Sequence, residues 1–124
     1  MKKEILTKEA PAPIGPYSQA IMVGDTLYIS GQLGIDVDTG ELGDCVKCQT
    51  KWSILNLQAI LEEAGMTLDN VVKTTIFLDD MDNFAAVNEV YASYFTGTAP
   101  ARSCVQVSKL PKGGMVEIEA VAVK

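Results

Sequence analysis

Arg102 is the only arginine in a chain of 124 residues, and lysines supply all the other cationic side chains. A guanidinium group donates two parallel hydrogen bonds to a planar carboxylate, which an ammonium group cannot do. Pro100 stiffens the backbone just before it, and residues 103–107 have the composition of a strand that would hold it rigidly. We therefore predict that Arg102 binds a carboxylate. The alternative is an ordinary surface salt bridge.

Glu117 is the acid that could work with this arginine, because it lies on the strand that follows the arginine's own strand. If the two strands pair across the Gly113-Gly114 loop, the carboxylate and the guanidinium face one pocket. A glutamate withdrawn from water has a raised pKa, which suits a group that moves protons or orients a water molecule. The alternative is that Glu117 forms an ion pair with Arg102 or Lys109.

Four further residues could line such a pocket. Tyr17 follows Gly15-Pro16 and could present its hydroxyl at a rigid corner, and Ser30-Gly31 ends a strand where glycine lets a ligand approach the backbone N–H. Asn88 interrupts the apolar face of a predicted helix. Each has an ordinary structural explanation: a core tyrosine, a turn, and a hydrogen-bonded core amide.

The chain has three cysteines, and Cys45-Val-Lys-Cys48 is a C-x-x-C motif at the start of a predicted helix. Such a motif can carry redox chemistry or bind a metal. However, no strand leads directly into it as in thioredoxin, and Cys104 alone cannot complete a tetrahedral metal site. An odd number of cysteines favours reduced thiols. We therefore interpret the pair as incidental and Cys104 as an inert strand residue.

Composition excludes several classes of function. The net charge is −6, which disfavours a nucleic-acid partner, and histidine is absent, which removes the commonest metal ligand and general base. No stretch has the length and apolarity of a signal peptide or a membrane span, so we expect a cytoplasmic protein without membrane contact. The length predicts a single domain covering residues 1–124.

The hydrophobic pattern predicts two helices and several strands. Asp44 is expected to cap a helix that ends near Ala64, before Gly65, and Asp82 a second helix that ends near Phe95. The remaining segments read as a short strand, a hairpin closed by Gly24-Asp25, a further strand and two final strands, covering residues 4–7, 17–23, 26–32, 70–78, 103–107 and 115–123.

This order of elements predicts an α+β protein in which two helices cover one face of a mostly antiparallel, partly mixed sheet. The last strand is partly apolar on both faces, since Ile118, Ala120 and Ala122 alternate with Val121 and Val123. Two helices can cover only one face, so we expect the other to be buried against further copies of the chain, in a homo-oligomer.

Several segments resemble the Rid/YjgF family, in its RidA-like branch of enamine/imine deaminases. The resemblance runs almost end to end and is strongest around Arg102. It rests on I-G-P-Y-S-Q-A (14–20), I-S-G-Q (29–32), T-G-E-L (39–42), V-V-K-T-T-I-F-L (71–78), P-A-R-S-C-V-Q-V-S-K-L-P-K (100–112) and V-E-I-E-A (116–120). It implies a chorismate-mutase-like (ferredoxin-like) fold and a homotrimer with a central β-barrel and ligand clefts between subunits.

The resemblance also implies roles for the candidate residues. Arg102, assisted by the backbone N–H of Gly31, would bind the substrate carboxylate. Glu117 would position or activate a water that the Cys104 carbonyl also holds. Tyr17, Ser30 and Asn88 match the remaining pocket residues. The C-x-x-C pair departs from the family pattern.

The implied reaction is the hydrolysis of 2-iminobutanoate or 2-iminopropanoate to a 2-oxo acid and ammonia, with no cofactor and no metal. The alternative is a trimer that binds 2-oxo acids or amino acids without turnover, which would need Arg102 but not Glu117. A ribonuclease activity, attached to relatives, is disfavoured by the missing histidine and the acidic composition.

Overall fold

The computed structural model describes all residues, 1–124, and contains two α-helices and eight strands. Short 3₁₀ turns precede β6, α2 and β8. In chain order the elements are β1 (Lys2–Ile5), β2 (Ala20–Val23), β3 (Thr26–Leu33), β4 (Ile35–Asp36), β5 (Glu41–Leu42), α1 (Val46–Glu63), β6 (Val71–Leu78), α2 (Phe84–Tyr94), β7 (Ala101–Gln106) and β8 (Val116–Val123).

Six of the strands form one mixed sheet in the order β1-β2-β3-β8-β6-β7. All neighbours are antiparallel except β6 and β7, which run parallel because α2 crosses over between them. The hairpin predicted at Gly24-Asp25 is confirmed by the pairing of Val23 with Thr26. The predicted α+β class with a mixed sheet is therefore confirmed.

Both helices pack on the same face of this sheet. Helix α1 contacts β3 and β8, and α2 packs beside it over β6, where the Tyr91 hydroxyl lies 2.7 Å from the Thr74 hydroxyl. Alternate residues of β8 point toward the helices, and Ile118 and Ala122 are completely buried there. The apolar side chains between the helices and the sheet form the main core.

The opposite face of the sheet is covered only in part. A small cluster of Leu33, Ile35 and Leu110 packs at one end of it. Elsewhere apolar side chains remain open, since Tyr28 is 53% exposed and Val105 is 43% exposed. The alternation predicted for β8 is thus confirmed, and one apolar face of the sheet is left uncovered in the single chain.

Two predicted helix caps are wrong. The N-cap of α1 is Cys45 and not Asp44: the Cys45 sulfur accepts a hydrogen bond from the Cys48 N–H at 3.1 Å. Before α2, Asp80 rather than Asp82 accepts a backbone hydrogen bond, because a 3₁₀ turn of three residues is inserted ahead of the helix. Caps depend on local backbone angles, which the hydrophobic pattern does not specify.

Cys45 and Cys48 are joined by a disulfide, with their Cα atoms 5.1 Å apart. The expectation of reduced thiols is therefore wrong for this pair, and only Cys104 is free. Neither helix is long and apolar enough to cross a membrane.

Candidate functional site

Glu117 lies in a cleft of about 430 Å³ on the face of the sheet that the helices do not cover. The cleft has room for a small organic acid together with water. Three predicted site residues, Tyr17, Ser30 and Gly31, share this cleft with Glu117. The sequence prediction therefore selected four residues that the fold brings together.

A bulge in β3 places Ser30 and Gly31 in the cleft wall. The pairing of β3 with β8 shifts register between Ile29 and Gln32, so the two residues between them leave the regular ladder. At Gly31 a methyl group would lie 2.8 Å from the Glu117 carboxyl carbon. A larger residue here would displace the Glu117 carboxyl group, because the glutamate packs directly on the Gly31 backbone.

Burial raises the pKa of the Glu117 carboxyl above its ordinary value, and repulsion from Glu119 raises it further. No cationic partner neutralises Glu117, since the only salt bridge in the chain joins Lys47 to Glu89. The alternative of an ion pair with Arg102 or Lys109 is therefore wrong within the chain. A half-buried carboxylate without a partner can accept a proton from a bound molecule.

Ser30 and Tyr17 are held at the cleft by the segment that precedes β2. The Ser30 hydroxyl donates to the Ser18 carbonyl at 2.6 Å, and the Ser30 N–H donates to the Gln19 carbonyl at 2.9 Å. Tyr17 is 49% exposed, so its hydroxyl is free to meet a ligand, and the alternative of a core tyrosine is wrong.

Arg102 lies elsewhere, on the outer strand β7. Its guanidinium donates to the Asn88 side-chain oxygen at 2.7 Å and lies over the rings of Tyr91 and Phe84, at 5.0 and 5.6 Å from their centroids. A groove of about 520 Å³ runs beside it, lined by Asn88, Tyr91 and Pro100 among others. The structure thus brings Arg102 and Asn88 together.

Arg102 has no carboxylate partner within the chain, so the alternative of a surface salt bridge is wrong here. A guanidinium that is oriented by an amide and two rings, yet unpaired with an acid, remains available for an anion. The neighbouring Cys104 has a raised pKa, because burial outweighs the opposing effect of Arg102. Its thiol therefore stays protonated and is a poor nucleophile.

The predicted pairing of the Arg102 and Glu117 strands is wrong, because β6 lies between β7 and β8. Arg102 pairs with Thr74, whose side chain points toward the helices, whereas Glu117 pairs with Phe77, on the open face. The two functional groups thus lie on opposite faces of the sheet. One chain therefore contains two separate candidate sites, the Glu117 cleft and the Arg102 groove.

Comparison with known proteins places this fold. The family described as Endoribonuclease L-PSP matches residues 7–124. The 2-iminobutanoate/2-iminopropanoate deaminase of Mus musculus is 52% identical over 126 aligned positions, covering 100% of this chain and 93% of the mouse protein. The chain belongs to the Rid/YjgF family.

Solved structures of Rid/YjgF proteins agree closely with this one. A conserved Rid family protein from Yersinia pestis, of unknown function, has a TM-score of 0.96 and 51% identity, and the match covers 100% of both chains. TdcF of E. coli with bound serine has a TM-score of 0.96 and 42% identity, covering 98% of each chain. The resemblance stated from sequence is therefore confirmed.

Two residues of this Rid/YjgF chain matter to the cleft and were missed from sequence. Lys112 lies at the rim with a left-handed backbone (φ 60°), and it is the only cationic residue that lines the cleft. Gln19 is buried and holds the loop that forms one wall. Lys112 could have been suspected from the two glycines that follow it. Gln19 belongs to the I-G-P-Y-S-Q-A segment that carries the resemblance, but its hydrogen bonds to the loop could not be read from the sequence.

Proposed function

We propose that this protein hydrolyses small 2-imino acids, 2-iminobutanoate and 2-iminopropanoate, to 2-oxo acids and ammonia in the cytoplasm. The observation that carries the proposal is Glu117, an unpaired carboxylate with a raised pKa, packed on Gly31 in an open cleft. The name of the mouse relative supports the substrate class. The serine bound to E. coli TdcF supports a small ligand with a carboxylate.

The complete site is proposed to form between copies of the chain, with the Arg102 groove of one copy facing the Glu117 cleft of the next. Two features support this. The outer edge of β7 has no strand partner. The open sheet face also exposes apolar side chains, including Tyr28 and Val105, that association would bury. A closed ring of three copies, with a central barrel, would give three equivalent sites.

In the proposed mechanism Arg102 binds the substrate carboxylate, and the Gly31 N–H adds a hydrogen bond. Glu117 and the Cys104 carbonyl hold a water molecule, whose oxygen attacks the imine carbon. Glu117 takes the proton from this water and returns it to nitrogen. This first transfer gives a carbinolamine. Glu117 then moves the hydroxyl proton to the nitrogen in the same way, and the carbon–nitrogen bond breaks as the carbonyl forms, releasing ammonia and leaving the 2-oxo acid. Positioning and one proton-transfer group suffice, so no cofactor is required.

The basic test is ammonia release from 2-iminobutanoate generated in the assay by a threonine dehydratase. We expect the wild-type protein to accelerate release above the buffer rate, and Glu117→Gln to lose most of that acceleration. Binding of a 2-oxo acid without any acceleration would contradict the proposal and favour the alternative, a trimer that binds such acids without turnover.

Mixing two inactive variants tests the shared site. The Arg102→Ala and Glu117→Gln chains are unfolded and refolded together in equal amounts. An intact site forms wherever a Glu117→Gln chain supplies Arg102 and the neighbouring Arg102→Ala chain supplies Glu117. Random assembly makes about a quarter of the interfaces intact in a closed ring. We therefore expect about a quarter of the wild-type activity. No recovery, from a mixture that sedimentation shows to be trimeric, would exclude a site between copies.

A further inference from the structure

The Cys45–Cys48 disulfide lies outside both candidate sites and has no part in the proposed deamination. It closes the first turn of α1, directly after a loop that ends at Asp44. Cys45 is exposed and Cys48 is partly exposed, so small thiols in solution can reach the bond. A disulfide that is accessible to thiols can exchange with them, whereas a buried one cannot.

The Cys45 sulfur lies at the N-terminus of α1. This residue is the N-cap of an 18-residue helix, and its sulfur accepts the Cys48 N–H at 3.1 Å. Backbone N–H groups and the helix dipole stabilise negative charge at this position. Cys45 is also more exposed than Cys48, so a thiol in solution reaches the Cys45 sulfur more easily.

The turn closed by the disulfide is tied to the Glu117 strand through the next residue, Gln49. The Gln49 side chain is buried, donates to the Gly43 carbonyl at 3.0 Å and accepts the Met115 N–H at 2.8 Å. Met115 immediately precedes β8, two residues before Glu117. A change in the first turn of α1 can therefore move the start of the strand that bears the acid.

We propose that Cys45 and Cys48 are a redox-active pair that cycles between disulfide and dithiol by exchange with thiols, and that the disulfide holds Gln49 in place against Met115. The proposal is independent of the deaminase activity. It assigns a role to the C-x-x-C motif, which the proposed deamination does not use.

Reduction by a dithiol such as dithiothreitol proceeds in two exchanges. A reagent thiolate attacks the Cys45 sulfur, forming a mixed disulfide, and Cys48 leaves as a thiolate that takes a proton. The second reagent thiolate then attacks the reagent sulfur of the mixed disulfide, and Cys45 leaves and is protonated. The pair gains two electrons and two protons, and the reagent is oxidised to its cyclic disulfide. Oxidised glutathione drives the reverse reaction, beginning at Cys45.

Counting alkylated thiols tests the chemistry. The native protein is equilibrated in mixtures of reduced and oxidised glutathione, and thiol exchange is quenched with acid. The protein is then unfolded, its free thiols are alkylated, and the number of labels is obtained from the intact mass. We expect one label, on Cys104, in the oxidising mixtures and three labels in the reducing mixtures, with full return on reversal. Reduction that requires denaturant, or a reduced pair that does not re-form the bond, would overturn the proposal.

Two spectroscopic readouts test the structural half of the proposal. Trp52, the only tryptophan, shares a shallow groove with Cys48, and a nearby disulfide quenches tryptophan emission. We expect emission to rise on reduction and the Met115 amide to exchange faster with deuterium. The control is the double variant Cys45→Ser with Cys48→Ser, which keeps a side-chain acceptor at the helix cap. Its tryptophan emission and its Met115 exchange rate should not change with the glutathione mixture. An unchanged Met115 exchange rate in the reduced wild-type protein would show that the disulfide does not hold Gln49.

Discussion

Gln19 offers the sharpest test of how the cleft wall is held. Its side chain is almost completely buried, at 1% exposure. Its oxygen accepts the Thr7 N–H at 2.8 Å, and its nitrogen donates to the carbonyls of Pro11, Thr7 and Ala10 at 2.9, 3.1 and 3.3 Å. One amide therefore fastens the loop between β1 and β2, which supplies one wall of the Glu117 cleft.

Gln19→Leu keeps the volume and removes these bonds. Two well-formed hydrogen bonds contribute about 1 kcal/mol each, and leaving the Thr7 N–H without a partner costs about 1 kcal/mol more. We expect a loss of about 3 kcal/mol in the free energy of unfolding. For a chain of this length that corresponds to a melting temperature lower by about 10 °C.

The assay is thermal and urea denaturation at a fixed protein concentration, since oligomers melt in a concentration-dependent way. The matched control is Gln58→Leu, on a partly exposed side of α1, where the side chain makes no hydrogen bond within the chain. That variant should change stability by no more than about 0.5 kcal/mol. The reasoning would be refuted if the melting temperature of Gln19→Leu lay within about 2 °C of the wild-type value, which is on the order of experimental error. It would also be refuted if the melting temperature of the Gln58→Leu control fell by the same amount.

Three further predictions concern the two candidate sites. Because the pKa of Glu117 is raised, the stability that its carboxyl group contributes is present below the ordinary pKa and is lost as the pH rises through the raised value. Glu117→Gln should therefore be more stable than the wild type at pH 7. Denaturation curves should show this difference vanishing near pH 4. Gly31→Ala drives a methyl group to 2.8 Å from the Glu117 carboxyl carbon, and a misplaced acid should lower kcat for ammonia release by about 100-fold while the protein stays folded by circular dichroism. Asn88→Ala removes the 2.7 Å hydrogen bond that orients the exposed Arg102. The KM should therefore rise about fivefold, equivalent to about 1 kcal/mol, with kcat nearly unchanged. A fivefold fall in kcat would instead assign Asn88 to the chemical step.

The sequence by itself determined the elements and the residue types. Helices and strands follow from hydrophobic spacing over a few residues, so α1, α2, the hairpin and the alternation of β8 were predictable. The grouping of Tyr17, Ser30 and Gly31 with Glu117 came from motif resemblance. Arg102 was conspicuous by its chemistry alone.

The tertiary structure decided which residues meet. The order of strands depends on contacts between distant segments. Because α2 carries the chain across the helix-covered face, β7 pairs in parallel with the outer edge of β6, and β6 therefore lies between β7 and β8. That insertion places Arg102 and Glu117 on opposite faces. Likewise, only the folded first turn of α1 brings Cys45 and Cys48 to a Cα separation of 5.1 Å, close enough for a disulfide.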